Sequence, residues 1–159
     1  MSDAVRQRFD AMVDAGDSER VQDRHFVALF TPESGLRYGL VDDLSWAVVD
    51  GDQLTVFQRG SELAFVEVLE HRRSEFDEWL EQGAAASGFP VDEVLFSFPT
   101  TELLQVIFEG SSQHFCRMAL MWLQPSELRS LRSVLLGVAE STAWPAALRE
   151  LAARLVVRE

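Results

Sequence analysis

Three histidines, one cysteine and 26 carboxylates are the side chains of this sequence best suited to chemistry. His114 and Cys116 stand close enough in sequence to suggest a thiolate–imidazole pair. In a helix that spacing turns the two side chains about 200° apart, so they cannot act on each other as nucleophile and base. Cys116 is expected to pack as a small apolar group. Being the only cysteine, it can form no intramolecular disulfide and no cysteine-based zinc site. His71 and Glu75 have the i, i+4 spacing of two ligands on one helix face, but no third ligand is near them in sequence. Glu70, Arg72 and Arg73 make that stretch a solvated, mixed-charge helix start. His25 heads an apolar run and reads as structural.

Asp42, Asp43, Asp50 and Asp52 gather around two turns. Calcium loops need ligands at alternating positions with a distal glutamate, and that order is absent. Turn chemistry accounts for Asp50 and Asp52. There is no glycine-rich phosphate loop and no Gly-x-Ser-x-Gly elbow. Nothing in the sequence selects a glycosidase-like pair of carboxylates. No catalytic residue, cofactor or metal is therefore assigned, and the chain is not read as an enzyme.

The elements around these residues follow from hydrophobic period. Val5, Phe9, Met12 and Val13 recur at helical spacing, so residues 3–15 should form an amphipathic helix ended by Gly16 and Asp17. Apolar runs at 25–30, 36–41, 44–49 and 54–57 alternate with turn clusters. They should pair as an antiparallel meander, with Asp50-Gly51 marking a tight hairpin. Residues 61–70 fit a fifth strand or the start of a helix, and are read here as strand. Beyond Ser74 the period is helical. Phe76, Trp79, Leu80 and Gly83 share one side, and the small-residue stretch 84–88 suits a linker. Further helices open at Pro99-Thr100, Ser112, Pro125 and Trp144-Pro145. The one beginning at Ser112 is apolar nearly all round, so it should be the central buried helix. The fold class is α+β: an N-terminal helix and a four- or five-stranded antiparallel sheet packed on a C-terminal bundle of four or five helices. One domain over 1–159 is expected, with a sheet section at 1–88 and a helical section at 89–159.

Charge narrows the function. The net charge is −12, and all fourteen basic residues are arginine, with no lysine and no asparagine. That usage reads as the coding bias of a GC-rich, bacterial genome rather than as phosphate recognition. An acidic chain lacks the cations that would displace counterions from nucleic acid. A basic protein is the favoured partner, since opposite charge speeds encounter. Neither nucleic acid nor membrane is expected as a partner. The polar start and single cysteine point to the cytoplasm.

All of the net charge falls before residue 99, and the remaining arginines and acids balance. These features suggest a protein that binds and neutralises a basic cognate protein by occlusion, as toxin-immunity proteins do, with the monomer favoured. An acidic, homodimeric secretion chaperone is the alternative, a small enzyme the next, and a nucleic-acid mimic a fourth. The expected contacts are Asp42, Asp43, Asp50, Asp52, Glu62, Glu67 and Glu70, with Trp46 as aromatic anchor.

Overall fold

The computed structural model describes residues 1–157 and is an α+β fold. The chain divides into two compact units. The first holds residues 1–65 and 74–99, and the second residues 66–73 and 100 onward.

In the first unit, α1 (Asp3–Ala15) begins where Ser2 Oγ accepts the Ala4 N–H at 3.2 Å. It buries Val5, Phe9 and Met12, as the sequence spacing requires. Five strands follow: β1 (Glu19–Val21), β2 (Arg24–Phe30), β3 (Arg37–Val41), β4 (Trp46–Asp50) and β5 (Gln53–Val56). They lie in chain order and every neighbouring pair is antiparallel, which is the expected meander. Asp50 pairs with Gln53, so the turn between β4 and β5 is Gly51-Asp52, with Gly51 at φ 55°. Positive φ at the first central position alone is what a two-residue hairpin with glycine there uses.

The sheet is covered on both faces. It curls so that Val21, Phe26, Val41, Ala47 and Val49 pack together, with Leu54 and Val56 against them. The other face carries Tyr38, Leu40, Trp46 and Val48. A register shift between Ala28 and Phe30 brings Phe30 onto that second face. There Phe30 stacks on Tyr38 at 4.7 Å and meets Phe76 edge-on at 5.5 Å.

Phe76 belongs to α2 (Arg73–Ser87). Gly83 of α2 lies so close to β2 that a Cβ there would stand 1.8 Å from the Leu29 carbonyl oxygen. Only glycine lets helix and strand meet at that point. A short α3 (Val91–Ser97) completes the unit, with Val94 and the following Phe98 buried.

The expected strand at 61–70 is corrected. Glu62–Glu70 forms a 3₁₀ segment, and the fifth strand is β1 at the far edge of the sheet. Phe65 and Val68 are buried three residues apart while Leu63 is exposed. A strand would have put Glu67 on the same face as Phe65 and Leu69, which period three avoids.

The second unit contains α4 (Thr100–Gly110), α5 (Gln113–Trp122), α6 (Pro125–Glu140) and α7 (Ala146–Val157). Ser112 caps α5 through its Oγ, 3.2 Å from the Phe115 N–H. The central helix is α6, which packs against both α4 and α7. This corrects the expectation for α5: Cys116, Ala119, Leu120 and Trp122 are buried, but His114, Arg117 and Met121 face outward. Arg73 Nη1 lies 2.9 Å from Glu127 Oε1, and the same guanidinium covers the Trp122 ring at 4.9 Å. Trp122 Nε1 donates to the His71 carbonyl at 2.7 Å. Residues 71–73 are thereby fastened to α5 and α6.

Candidate protein-interaction surface

The acidic residues singled out from the sequence fall in separate places. Pairing of Phe26 with Val41 sets the β2–β3 register, so Arg24 and His25 stand beside Asp42 and Asp43. Both oxygens of Asp42 accept the His25 N–H at 3.2 Å, and its carboxylate lies 3.7 Å from Arg24 Nε. Asp43 receives Arg24 Nη2 at 2.9 Å and the Ser45 N–H at 3.0 Å. Burial alone would raise the Asp43 pKa. The hydrogen bonds from Ser45 and Arg24, with the charge of Arg24, outweigh it and hold the carboxyl below its ordinary value. These two carboxylates are thus already engaged within the fold.

Asp50 and Asp52 are exposed at the β4–β5 tip. That tip is at the opposite end of β4 from Asp42 and Asp43, about 13 Å away along a five-residue strand. Glu62 accepts the Gly60 N–H at 2.6 Å, a local turn contact. Glu67 and Glu70 belong to the second unit, where Glu70 Oε1 is 2.6 Å from His114 Nε2. The single acidic patch expected from sequence order is not formed by the residues of the first unit, because strand direction separates them.

Trp46 is also corrected. It is 3% exposed, its Nε1 donates to Ser97 Oγ at 3.1 Å, and its ring meets Phe98 at 5.1 Å. It braces α3 against β4 and cannot serve as a surface anchor.

The first unit does display an aromatic residue elsewhere. Phe96 on α3 is 89% exposed. With Val94 turned inward, a side chain two positions on lies about 200° round the helix and points outward. Phe96, Met1, Asp92 and Glu93 line a groove of about 380 Å³. It adjoins a cavity of about 550 Å³ at the start of α1 and the β3–β4 turn, with Met1, Ser2 and Ser97 common to both. Asp3, Asp43, Leu44 and Phe57 border the cavity. Arg6 enters it while donating to the Asp42 carbonyl, 3.8 Å from Asp10. The Ser2 N–H donates to Glu93 Oε2 at 3.1 Å, tying the chain start to α3.

An exposed aromatic and a methionine bordered by carboxylates suit the apolar and cationic side chains of a protein partner. Sequence reasoning missed Phe96 because residues 91–98 lay between two prolines and had no assigned element. The available signal was Leu95-Phe96: two successive large apolar residues exceed what one narrow face of so short a helix can bury.

Charge follows the same division. The first unit carries eighteen acidic residues against six arginines, a net −12, and the second carries eight of each. Among the described residues no three of His, Cys, Asp and Glu gather as metal ligands. No described helix is long and apolar enough to cross a membrane. Compared with known protein families, with curated proteins and with solved structures, the chain matches none.

Proposed function

We propose that this chain is a cytoplasmic bacterial protein that binds a basic cognate protein and neutralises it by occlusion, in the manner of a toxin-immunity protein. The observation that carries the reading is Phe96, exposed beside Asp92 and Glu93 on the unit that holds all of the net charge. The charge would steer encounter and reject acidic partners, while Phe96 and Met1 would supply the buried contact. Neutralisation by occlusion needs no catalytic group.

The test begins with the tagged full chain, recovered from its host at low salt with whatever binds it. The purified partner is then titrated with wild type, Phe96→Ala and the double reversal Asp92→Arg/Glu93→Arg. The reading expects a basic partner that loses its own activity on binding. It also expects affinity to fall roughly 30-fold with Phe96→Ala, and association to slow with the reversal and with added salt. Unchanged affinity and association in both variants would overturn the surface. A bound partner that keeps its activity would overturn neutralisation, and a stable homodimer would favour the secretion chaperone instead.

A further inference from the structure

We infer that the second unit holds a binding groove for a small amphipathic anion, a carboxylate on an apolar stem. This inference does not rest on the proposed function, which concerns the other unit. The groove has a volume of about 460 Å³ and lies between the first half of α5 and one face of α7. A volume of this size is in the usual range for small-molecule sites.

From α7 come Ala147, Leu148, Leu151 and Arg154, whose spacing places them on one side of the helix. From α5 come His114 and Arg117. Pro145, Leu148 and Leu151 make the floor apolar, with Leu148 only 6% exposed. Arg117 and Arg154 stand exposed at its rim. Among the described residues no acidic side chain lines the groove, and Glu70, 2.6 Å from His114 Nε2, is the carboxylate that meets one of its lining residues.

The two guanidinium groups decide the ligand. Arg154 Nε donates to the Glu150 carbonyl at 3.3 Å, which leaves its terminal nitrogens for other acceptors. Arg117 makes no hydrogen bond or ion pair to another described residue. Two cations facing one apolar floor favour an anion with a hydrocarbon body. A guanidinium fork matches the two oxygens of a carboxylate. From Leu148 to Arg154 the helix rises about 9 Å, which suits a medium-length stem. Nucleic acid would need a longer track of cations than two arginines provide.

The probe is octanoate, with 1-octanol as its uncharged counterpart and acetate as the head group alone. Full-length protein is titrated by calorimetry, and amide NMR shifts locate the binding. Octanoate is expected to bind one to one with a Kd below about 1 mM. Octanol and acetate should each bind at least about tenfold more weakly, as should octanoate to the double variant Arg117→Gln/Arg154→Gln. That variant changes only exposed side chains, and its melting curve checks that it is folded. A second variant, Leu151→Ser, should weaken octanoate without affecting acetate. Octanol binding as tightly as octanoate would overturn the proposal. So would no saturation by about 10 mM octanoate, or shifts confined to residues outside α5 and α7.

Discussion

Glu127 is the residue at which the second unit can be tested most sharply. Its Oε1 holds Arg73 at 2.9 Å, and its Oε2 accepts the Gln124 N–H at 3.0 Å, closing the first turn of α6. Side-chain exposure is 18% for Arg73 and 11% for Glu127, so water screens the pair only weakly. At an effective dielectric of about 20, opposite charges at that separation attract by roughly 6 kcal/mol before desolvation is subtracted. Removing one partner of a buried pair costs about 3–5 kcal/mol, because the other charge is left uncompensated. Slight exposure, the Trp122 ring over Arg73 and the other interactions of Arg73 place this pair below that range. Glu127→Gln keeps the shape and the capping oxygen, and should cost about 2 kcal/mol. Glu127→Ala loses the cap as well, adding about 1 kcal/mol for a total near 3. For a chain of this size that lowers Tm by about 6–12 °C. The assay is urea denaturation of both variants and of the cycle Arg73→Met, Glu127→Leu and Arg73→Met/Glu127→Leu. The coupling energy of Arg73 with Glu127 should be near 2 kcal/mol, and the apolar double variant should lie close to wild type. A Glu127→Gln cost below about 0.5 kcal/mol would refute the argument, since it would mean the pair is as weak as a surface salt bridge.

Gly83→Ala should destabilise by about 3 kcal/mol or more, because the new methyl would meet the backbone of Leu29 rather than a movable side chain; chemical denaturation showing near-wild-type stability would contradict the helix–strand approach described. Gln22 has φ 55° at the exposed β1–β2 turn, so Gln22→Asn should stabilise by about 0.5–1 kcal/mol, read as a higher urea midpoint. Burial pushes the Cys116 thiol up to about 11, so a thiol reagent at neutral pH should label the protein only as fast as it unfolds. Because that folded value exceeds the unfolded one near 9.0, stability should be whole below it and fall as pH rises toward about 11, a decline that Cys116→Ala should reduce.

What the sequence revealed, and what it hid, has a physical pattern. Elements governed by neighbours were legible: α1 through Val5, Phe9 and Met12, the β4–β5 hairpin through Gly51, and α5 through its Ser112 cap. Elements governed by angle or by distant chain were not. Residues 61–70 contain enough apolar side chains for either period, and burial of Phe65 with Val68 resolves it. Counting apolar residues made α5 look central, whereas Trp122 is 3% exposed and its neighbour Met121 is 70% exposed. The engagement of Asp42 and Asp43 could not be read from turn composition, because Arg24 reaches them only through the β2–β3 register. The separation of Asp50 and Asp52 from that pair likewise comes from the length of β4.

The same reasoning explains how a short helix could carry the anchor of the proposed interface. Burial of Val94 and Phe98 fixes α3 on either side of Phe96, and Trp46 clamps Ser97 from β4. Ser97 Oγ in turn donates to the Val94 carbonyl at 2.8 Å, and Glu93 holds the Ser2 N–H. Phe96 is therefore displayed from a backbone already ordered, and little conformational entropy remains to be lost when a partner covers it. Burying such a ring contributes about 1.5–3 kcal/mol, which acts mainly on dissociation. In the proposed complex the carboxylates around it would act at longer range and mainly on association. Trp46, the aromatic that the sequence favoured, holds that display in place through Ser97 and Phe98 and, being buried, would not itself touch a partner.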